Sequence, residues 1–303
     1  MKISIIIPVY NGENHITARM AELLNYNNPE AEIIFVDDGS TDNSFDRFRD
    51  CQAVNKWDTR ITMTGYSNNR GSLYARKFGV NQAKHDLIYM TDIDDPLSLS
   101  YLEGLQFDIE GSLERTMIPI PKQIFVDGKP NGQVWHLQQF DDPERYIVEL
   151  LIRQSGQIPI NNTIFQKETL LAAMNETDKL LNAIGVKRMD YGEDSLTANV
   201  MIKEKLIEHI KPSTIYSVPY TIDNSGSVSK DEAKRMKDMP ILIAHAYYMM
   251  YSQFGEGEES EAMEFKVSFE NILHAKYGDN SAEFSCTVAD YVHKIKEYYE
   301  NKM

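Results

Sequence analysis

A chain of 303 residues with 42% hydrophobic and 25% charged residues is long enough to bury a full core, as one large α/β domain or one domain with a helical appendage; a disulfide-held mini-protein, a disordered chain and a collagen-like fibre are excluded. Its 31 Lys and Arg against 46 Asp and Glu give a formal net charge of −15, which repels a nucleic-acid backbone, so no nucleic acid is expected among its partners. The same excess means that a phosphate-bearing ligand needs a local source of positive charge, such as a bound divalent metal.

Ile3 to Val9 is a β-branched run without polar alternation, the pattern of a strand buried on both faces of a parallel sheet. The chain turns at Asn11-Gly12, and Asn14 to Asn25 carries Ile16, Met20, Leu23 and Leu24 at helical spacing. A strand over Glu32 to Val36 ends in Asp37-Asp38-Gly39-Ser40, and Ser40-Thr41-Asp42 can cap a helix that runs to about Cys51. A third strand near Arg60 to Gly65 leads through Asn68-Asn69-Arg70-Gly71 into a helix from Ser72 to about Ala83, and a fourth, Leu87 to Thr91, ends in Asp92-Ile93-Asp94-Asp95-Pro96. This β-α-β-α-β-α-β order, with polar clusters where strands end, predicts a parallel sheet whose ligand binds at the strands' carboxyl ends.

Farther on, the pattern predicts a hairpin from Gln123 to about Leu137 and a helix near Pro143 to Arg153, then a strand over Asn162 to Gln166 and a helix over Glu193 to Ile202. A strand over Thr214 to Tyr220 precedes the small-residue loop Asp223 to Ser229, and 231 to 303 has helical composition with an acidic break at Gly255 to Glu261. The run Ile3 to Val9 is too short for a signal peptide, and Pro240 to Tyr251 is well under the ~20 residues that span a bilayer. No membrane-crossing segment is expected. Cys51 and Cys286 lack zinc or redox spacing and read as reduced, mostly buried thiols of a cytoplasmic protein.

Four clusters carry candidate chemistry. Asp92, Asp94 and Asp95 repel one another unless a cation neutralises them, which fits Mg²⁺ or Mn²⁺ with oxygen ligands; the alternative is a solvated turn capping a helix with Pro96 at its first position. Asp37-Asp38 ends another buried strand, where one carboxylate can accept the imide hydrogen of uracil and main-chain groups near Pro8 to Asn11 can line the base; a helix cap is the other reading. Asn69-x-Gly71 is a tight turn that lets backbone approach a ligand, and Arg76 is either a phosphate or ribose ligand or an ordinary helix arginine. Glu193-Asp194, at a helix start, is either an acceptor-side general base or two acids favoured by the helix dipole. The seven histidines show no metal spacing, and no serine lies in a GxSxG elbow.

The series Ile5-Ile-Ile-Pro-Val-Tyr-Asn-Gly12, Ile33-Ile-Phe-Val-Asp-Asp-Gly-Ser-Thr-Asp42, Asn69-x-Gly71 with Ala75-Arg76, and Asp92-x-Asp94-Asp95 resembles the family-2 glycosyltransferases of bacterial polysaccharide type, in order and in spacing. The resemblance implies the GT-A fold, a Rossmann-like, mainly parallel mixed sheet flanked by helices, with a transferase domain over 1–230 and a helical extension over 231–303. Residues 1–100 would form its nucleotide-binding half and 101–230 its acceptor-binding half. It implies a nucleotide-sugar donor, UDP favoured, with Pro8, Tyr10 and Asp38 at the base, Asp37 beside them, and Asn11, Asn69, Gly71, Arg76 and Ile93 along the donor site. Asp92 and Asp94, with Asp95 adjacent, would hold Mn²⁺ or Mg²⁺ and the diphosphate, and Asp194 of the Glu193-Asp194 pair would be the base of an inverting transfer. The acceptor would be a saccharide or lipid-linked saccharide, which brings peripheral association with the inner membrane face into view. Asn161 to Phe165 resembles the strand before the acceptor site, and Gly226 to Ser229 a loop near the donor phosphates. Lys77 stands where asparagine is common, and Asp223-Asn224 where many relatives have a histidine that supplies a metal contact. Beyond residue 230 no resemblance holds, leaving oligomerisation, membrane docking or acceptor choice as roles for the C-terminal helices. A non-catalytic nucleotide-sugar-binding or scaffold protein with this fold is the alternative; its expected sign is loss of the acidic residues, and Asp38, Asp92, Asp94 and Asp194 are all present.

Overall fold

A computed structural model of the chain describes residues 1–55, 57–95, 115–119, 122–126, 129–135, 160–210, 218–222, 232–254 and 281–302. The chain divides into two compact units, one of residues 1–141, 160–172 and 209–226, the other of 142–159, 173–208 and 227–303.

The first unit is built on β1 (Ser4–Val9), β2 (Glu32–Asp38), β3 (Ile61–Tyr66) and β4 (Leu87–Met90), alternating with α1 (Glu13–Leu24), α2 (Ser44–Val54) and α3 (Ser72–Gln82). These four strands are mutually parallel, β1 lying between β2 and β4. The strand reading of β1 holds for the reason its sequence gives: Ile3, Ile5, Ile7 and Val9 join Ile16, Met20 and Leu23 of α1 in one core. Ile6, on the other face, meets α3, where a Cβ on Gly79 would stand 2.5 Å from the Ile6 Cγ2 and 2.8 Å from the Val36 Cγ2. Apolar burial on both faces, about 1.5–3 kcal/mol for each large aliphatic side chain, leaves no place for polar alternation.

Three more strands, β5 (Thr116–Pro119), β8 (Thr163–Gln166) and β9 (His209–Ile210), complete a seven-stranded sheet in the order β3-β2-β1-β4-β8-β5-β9. β8 runs antiparallel to both β4 and β5, so the sheet is mixed but mainly parallel. A separate three-stranded sheet contains the expected hairpin, β6 (Lys122–Val126) and β7 (Lys129–Trp135), with β10 (Val218–Ile222) parallel to β6. The sequence reading put this last strand at Thr214 to Tyr220, of which 214–217 lies outside the described residues.

The second unit is helical. It takes α4 (Lys167–Ala183) from Ala173 onward, then α5 (Glu193–Lys203), α6 (Glu232–Phe254) and α7 (Ser281–Glu300). α6 and α7 pack together, and Ile241, Leu242, Met249, Phe284, Val288 and Ile295 along them are buried. The His245 Nε2 lies 2.8 Å from the Tyr299 hydroxyl, and Tyr248 stacks on Tyr299 at 5.0 Å between ring centroids. Tyr248 and Tyr299 thus serve the packing of these two helices. Burial pushes the His245 ring down to about 3, so it is neutral at ordinary pH.

One expectation needs correction and three fall outside the described residues. Both thiols are free, but Cys51 is half-buried and Cys286 exposed, because residue 286 lies off the Phe284, Val288 and Ile295 stripe by which α7 packs. The helix expected near Pro143 to Arg153, the loop Asp223 to Ser229 and the break at Gly255 to Glu261 lie outside the described residues. Among those residues no helix is long and apolar enough to cross a membrane.

Candidate functional site

The strand order reverses beside β1: β2 and β3 lie on one side of it and β4 on the other. In such sheets the crevice at the carboxyl ends beside that reversal is where ligands bind. The loops after β1, β2, β3 and β4 gather there, and side chains lace them together. Asp42 accepts from the N–H of Glu13 at 3.0 Å, and Glu13 accepts from the N–H of Asn43 at 2.9 Å, so the starts of α1 and α2 cap each other. The Asn11 side-chain oxygen accepts from the N–H of Thr41 at 2.8 Å, and Ser40 and Ser44 accept from the N–H groups of Asn11 and Gly12. Asn11, expected at the donor, thus ties the first two loops together from a positive φ of 52°. Tyr10 beside it is half exposed.

Asp38 is buried and has a role the sequence did not disclose: its two oxygens accept from the N–H groups of Arg70, at 2.7 Å, and Gly71, at 2.9 Å. It pins the Asn69-x-Gly71 turn onto the end of β2. Gly39 permits the approach, since at φ 68° a Cβ there would lie 2.6 Å from the Asn68 carbonyl carbon. Asp37 accepts from the N–H of Ser40 at 2.9 Å, and half-buried Pro8 pairs in register with Val36 on β2. Arg70 is exposed and lies over the rings of Tyr74, at 4.6 Å, and Tyr66, at 5.5 Å.

The acidic loop after β4 shows how three carboxylates are kept together. Asp92 pairs with the buried guanidinium of Arg76 at 2.8 Å. The Asn161 amide donates to both Asp92, at 2.8 Å, and Asp95, at 2.9 Å, and the Asn162 amide donates to Asp95 at 2.8 Å. Tyr89 on β4 donates to the Asn162 oxygen, closing a buried network between β4 and the entry to β8. Beneath the loop, buried Arg19 donates to the carbonyl of Ile93 at 3.1 Å and pairs with Glu22. Arg19 was legible only as a charge on the apolar stripe of α1, and the Asn161-Asn162 pair only as part of a strand.

Asp94 differs from its neighbours. No hydrogen bond from another side chain reaches it among the described residues, and its carboxyl is raised, first by lost solvation and then by the charges of Asp92 and Asp95. It reaches solvent. A divalent cation would relieve it, so Asp94 fits a metal ligand, whereas Asp92 and Asp95 are already held by Arg76 and two amides. No three His, Cys, Asp or Glu side chains among the described residues form a metal-holding group by themselves.

Glu193 and Asp194 lie in the second unit, in the first turn of α5. Glu193 is buried and Asp194 half-buried, and an Asp194 oxygen accepts from the N–H of Ser195 at 2.7 Å. The structure therefore brings the four loops of the first unit together, and places the Glu193-Asp194 pair in the other unit.

Residues 4–167 match the sequence model described as "Glycosyl transferase family 2", more than half of the 303-residue chain. The chain belongs to glycosyl transferase family 2. Among relatives, it is 28% identical to the "Glycosyltransferase GlyG" of Streptococcus pneumoniae serotype 4 over 166 residues, 54% of this chain and 53% of that protein. The chain thus spans about half the length of that relative. The structure resembles that of S. aureus TarS 1–349 in complex with UDP-GlcNAc, with a TM-score of 0.60 at 16% identity, over 99% of this chain and 92% of that one. It also resembles the mannosyltransferase PcManGT of Pyrobaculum calidifontis in complex with GDP-Man and Mn²⁺, with a TM-score of 0.51 at 13% identity, over 97% of this chain and 84% of that one. These two structures agree in fold with the mainly parallel mixed sheet described above.

Proposed function

We propose that this family-2 chain transfers a sugar from a nucleotide-diphosphate donor, UDP-linked in our reading, to a hydroxyl of a saccharide or lipid-linked saccharide, with inversion at the anomeric carbon. The observation that carries the reading is the acidic loop, held at the carboxyl end of β4 beside the strand-order reversal with Asp94 left to meet a cation. The TarS complex with UDP-GlcNAc supports the choice of nucleotide, and the PcManGT complex with Mn²⁺ supports a divalent metal. Asp94 is the residue that would hold that metal, which supplies charge neutralisation at the leaving diphosphate when bound. Pro8, Tyr10, Asp37 and Asp38 form the base side of the donor site, with Asn69, Gly71 and Arg76 on its other wall. Asp38 and Arg76 act by fixing the turn after β3 and the carboxylate of Asp92.

Asp194 is the base in this reading. It takes the proton of the acceptor hydroxyl as that oxygen bonds to the anomeric carbon and the bond from that carbon to the diphosphate oxygen breaks. The transferase domain covers 1–230 and the helical extension 231–303, with the protein working in the cytoplasm or at the inner membrane face.

The test is calorimetric titration of the purified protein with UDP, GDP and dTDP, each with Mn²⁺ and with chelator. UDP is expected to bind with Mn²⁺ and to lose most of its affinity in chelator; absence of binding by every nucleotide in both conditions overturns the donor-site reading. Because protons compete with the cation for the raised Asp94 carboxyl, metal-dependent binding should weaken as pH falls through its pKa. Arg19→Met removes a cation attracted to Asp94 and Asp95, which raises Asp94 further and should move that acid limb to higher pH. A limb that does not move would confine Arg19 to holding the Ile93 carbonyl and pairing with Glu22.

A further inference from the structure

The family match ends at residue 167, and nothing in the sequence beyond 230 assigns a role to the C-terminal helices. One side chain of α6 has no place in ordinary helix packing. Asp238 is 0% exposed, yet it carries a carboxylate. Its Oδ2 accepts from the main-chain N–H groups of Asp190, at 2.6 Å, and Tyr191, at 3.1 Å, while among the described residues its Oδ1 has no hydrogen-bond partner. Lys237 offers only a distant countercharge at 3.8 Å. Burying a carboxylate is costly, so an apolar residue would serve helix packing better; what the carboxylate adds is a strong acceptor aimed at two N–H groups of a loop.

That loop leads directly into the candidate base. Asp190 is also clamped through its side chain, by Arg188 at 2.6 Å and Lys237 at 3.7 Å. Tyr191 is followed by Gly192, at φ 74°, and then by Glu193 and Asp194 in the first turn of α5. Leu242, one helical turn after Asp238, lies 3.2 Å from where a Cβ on Gly192 would stand. Residues 190, 191 and 192 are thus each held by α6.

We propose that Asp238 is a positioning residue: by fixing the main chain of 190–192 from α6, it sets how α5 leaves the loop and so orients the Asp194 carboxylate, which makes the C-terminal helix part of the acceptor-side machinery. This rests on the reading of Asp194 as the base. Asp238→Asn keeps an oxygen that can accept both N–H groups and removes the charge, whereas Asp238→Ala removes the acceptor.

The test uses the full chain and two measurements. In hydrogen exchange, Asp238→Ala is expected to speed exchange across 188–196 by about tenfold or more while β1 and β4 exchange as in the parent, and Asp238→Asn to stay within about threefold. With UDP-N-acetylglucosamine and Mn²⁺ as the probe, read as UDP release, Asp238→Ala should lower kcat by about tenfold with donor KM unchanged, and cost nothing further in an Asp194→Asn background. Unchanged exchange, exchange raised throughout the second unit with Asn no better than Ala, or a kcat loss that adds in full to Asp194→Asn would each overturn the proposal. If Asp194→Asn alone leaves turnover intact, the base reading fails instead, and the exchange measurement still decides whether Asp238 holds the loop.

Discussion

Asp194→Asn is expected to lower the turnover number of transfer by about a thousandfold while UDP affinity stays within about twofold, a loss of about 4 kcal/mol confined to the chemical step. The change is nearly isosteric, and the local bond survives it: the amide oxygen of asparagine can still accept from the Ser195 N–H that Asp194 engages at 2.7 Å. The capacity to take a proton is lost, together with the negative charge in the first turn of α5. The loops assigned to the donor belong to the first unit and carry their own hydrogen bonds, so the nucleotide should bind as before. Kinetics with saturating donor and a parallel UDP titration make the check. Loss of both activities would mark Asp194 as structural, and retention of both would place the base elsewhere.

How far this could be read from sequence depended on where the information lay. β1, β2 and β4 were legible because a parallel strand covered on both faces must be apolar throughout, and the acidic and small residues at their ends mark the sheet's carboxyl edge. β5 and β9 went unread, since strands of four and two residues have too little length for a period to emerge. α4 was also missed, although Leu170, Met174 and Leu181 recur at helical spacing.

The candidate site divides in the same way. The carboxylates themselves were visible, being several acids in few residues. Their supports were not, because each is a contact across a long stretch of chain: Asn161 reaches Asp92 over 69 residues, and Arg19 reaches Ile93 over 74. A lone buried arginine or asparagine pair has no pattern to announce it. Asp238 is the extreme case, a single acid in a helix whose meaning appears only when the loop it caps is seen beside it.

Asp38 tests whether support and recognition can be separated. In the sequence it read as a base-recognising carboxylate; in the structure both of its oxygens are engaged by the N–H groups of Arg70 and Gly71. Asp38→Ala leaves these two donors without their acceptor, at about 1–3 kcal/mol each where water cannot replace it, so a total near 3 kcal/mol is expected. For a chain of this size that should lower the melting temperature by about 5 °C. The turn it releases starts α3, which carries Arg76 to its pairing with Asp92, so the acidic loop should loosen as well and UDP affinity fall by about tenfold or more. A melting temperature that stays put while UDP affinity falls would instead make Asp38 a reader of the base that contributes nothing to the turn. A fall in melting temperature with UDP affinity intact would confine Asp38 to the scaffold and move base recognition to Pro8, Tyr10 and Asp37. A fall in both is the outcome that the two short hydrogen bonds predict, because the same oxygens that hold the turn build the wall against which the donor would lie.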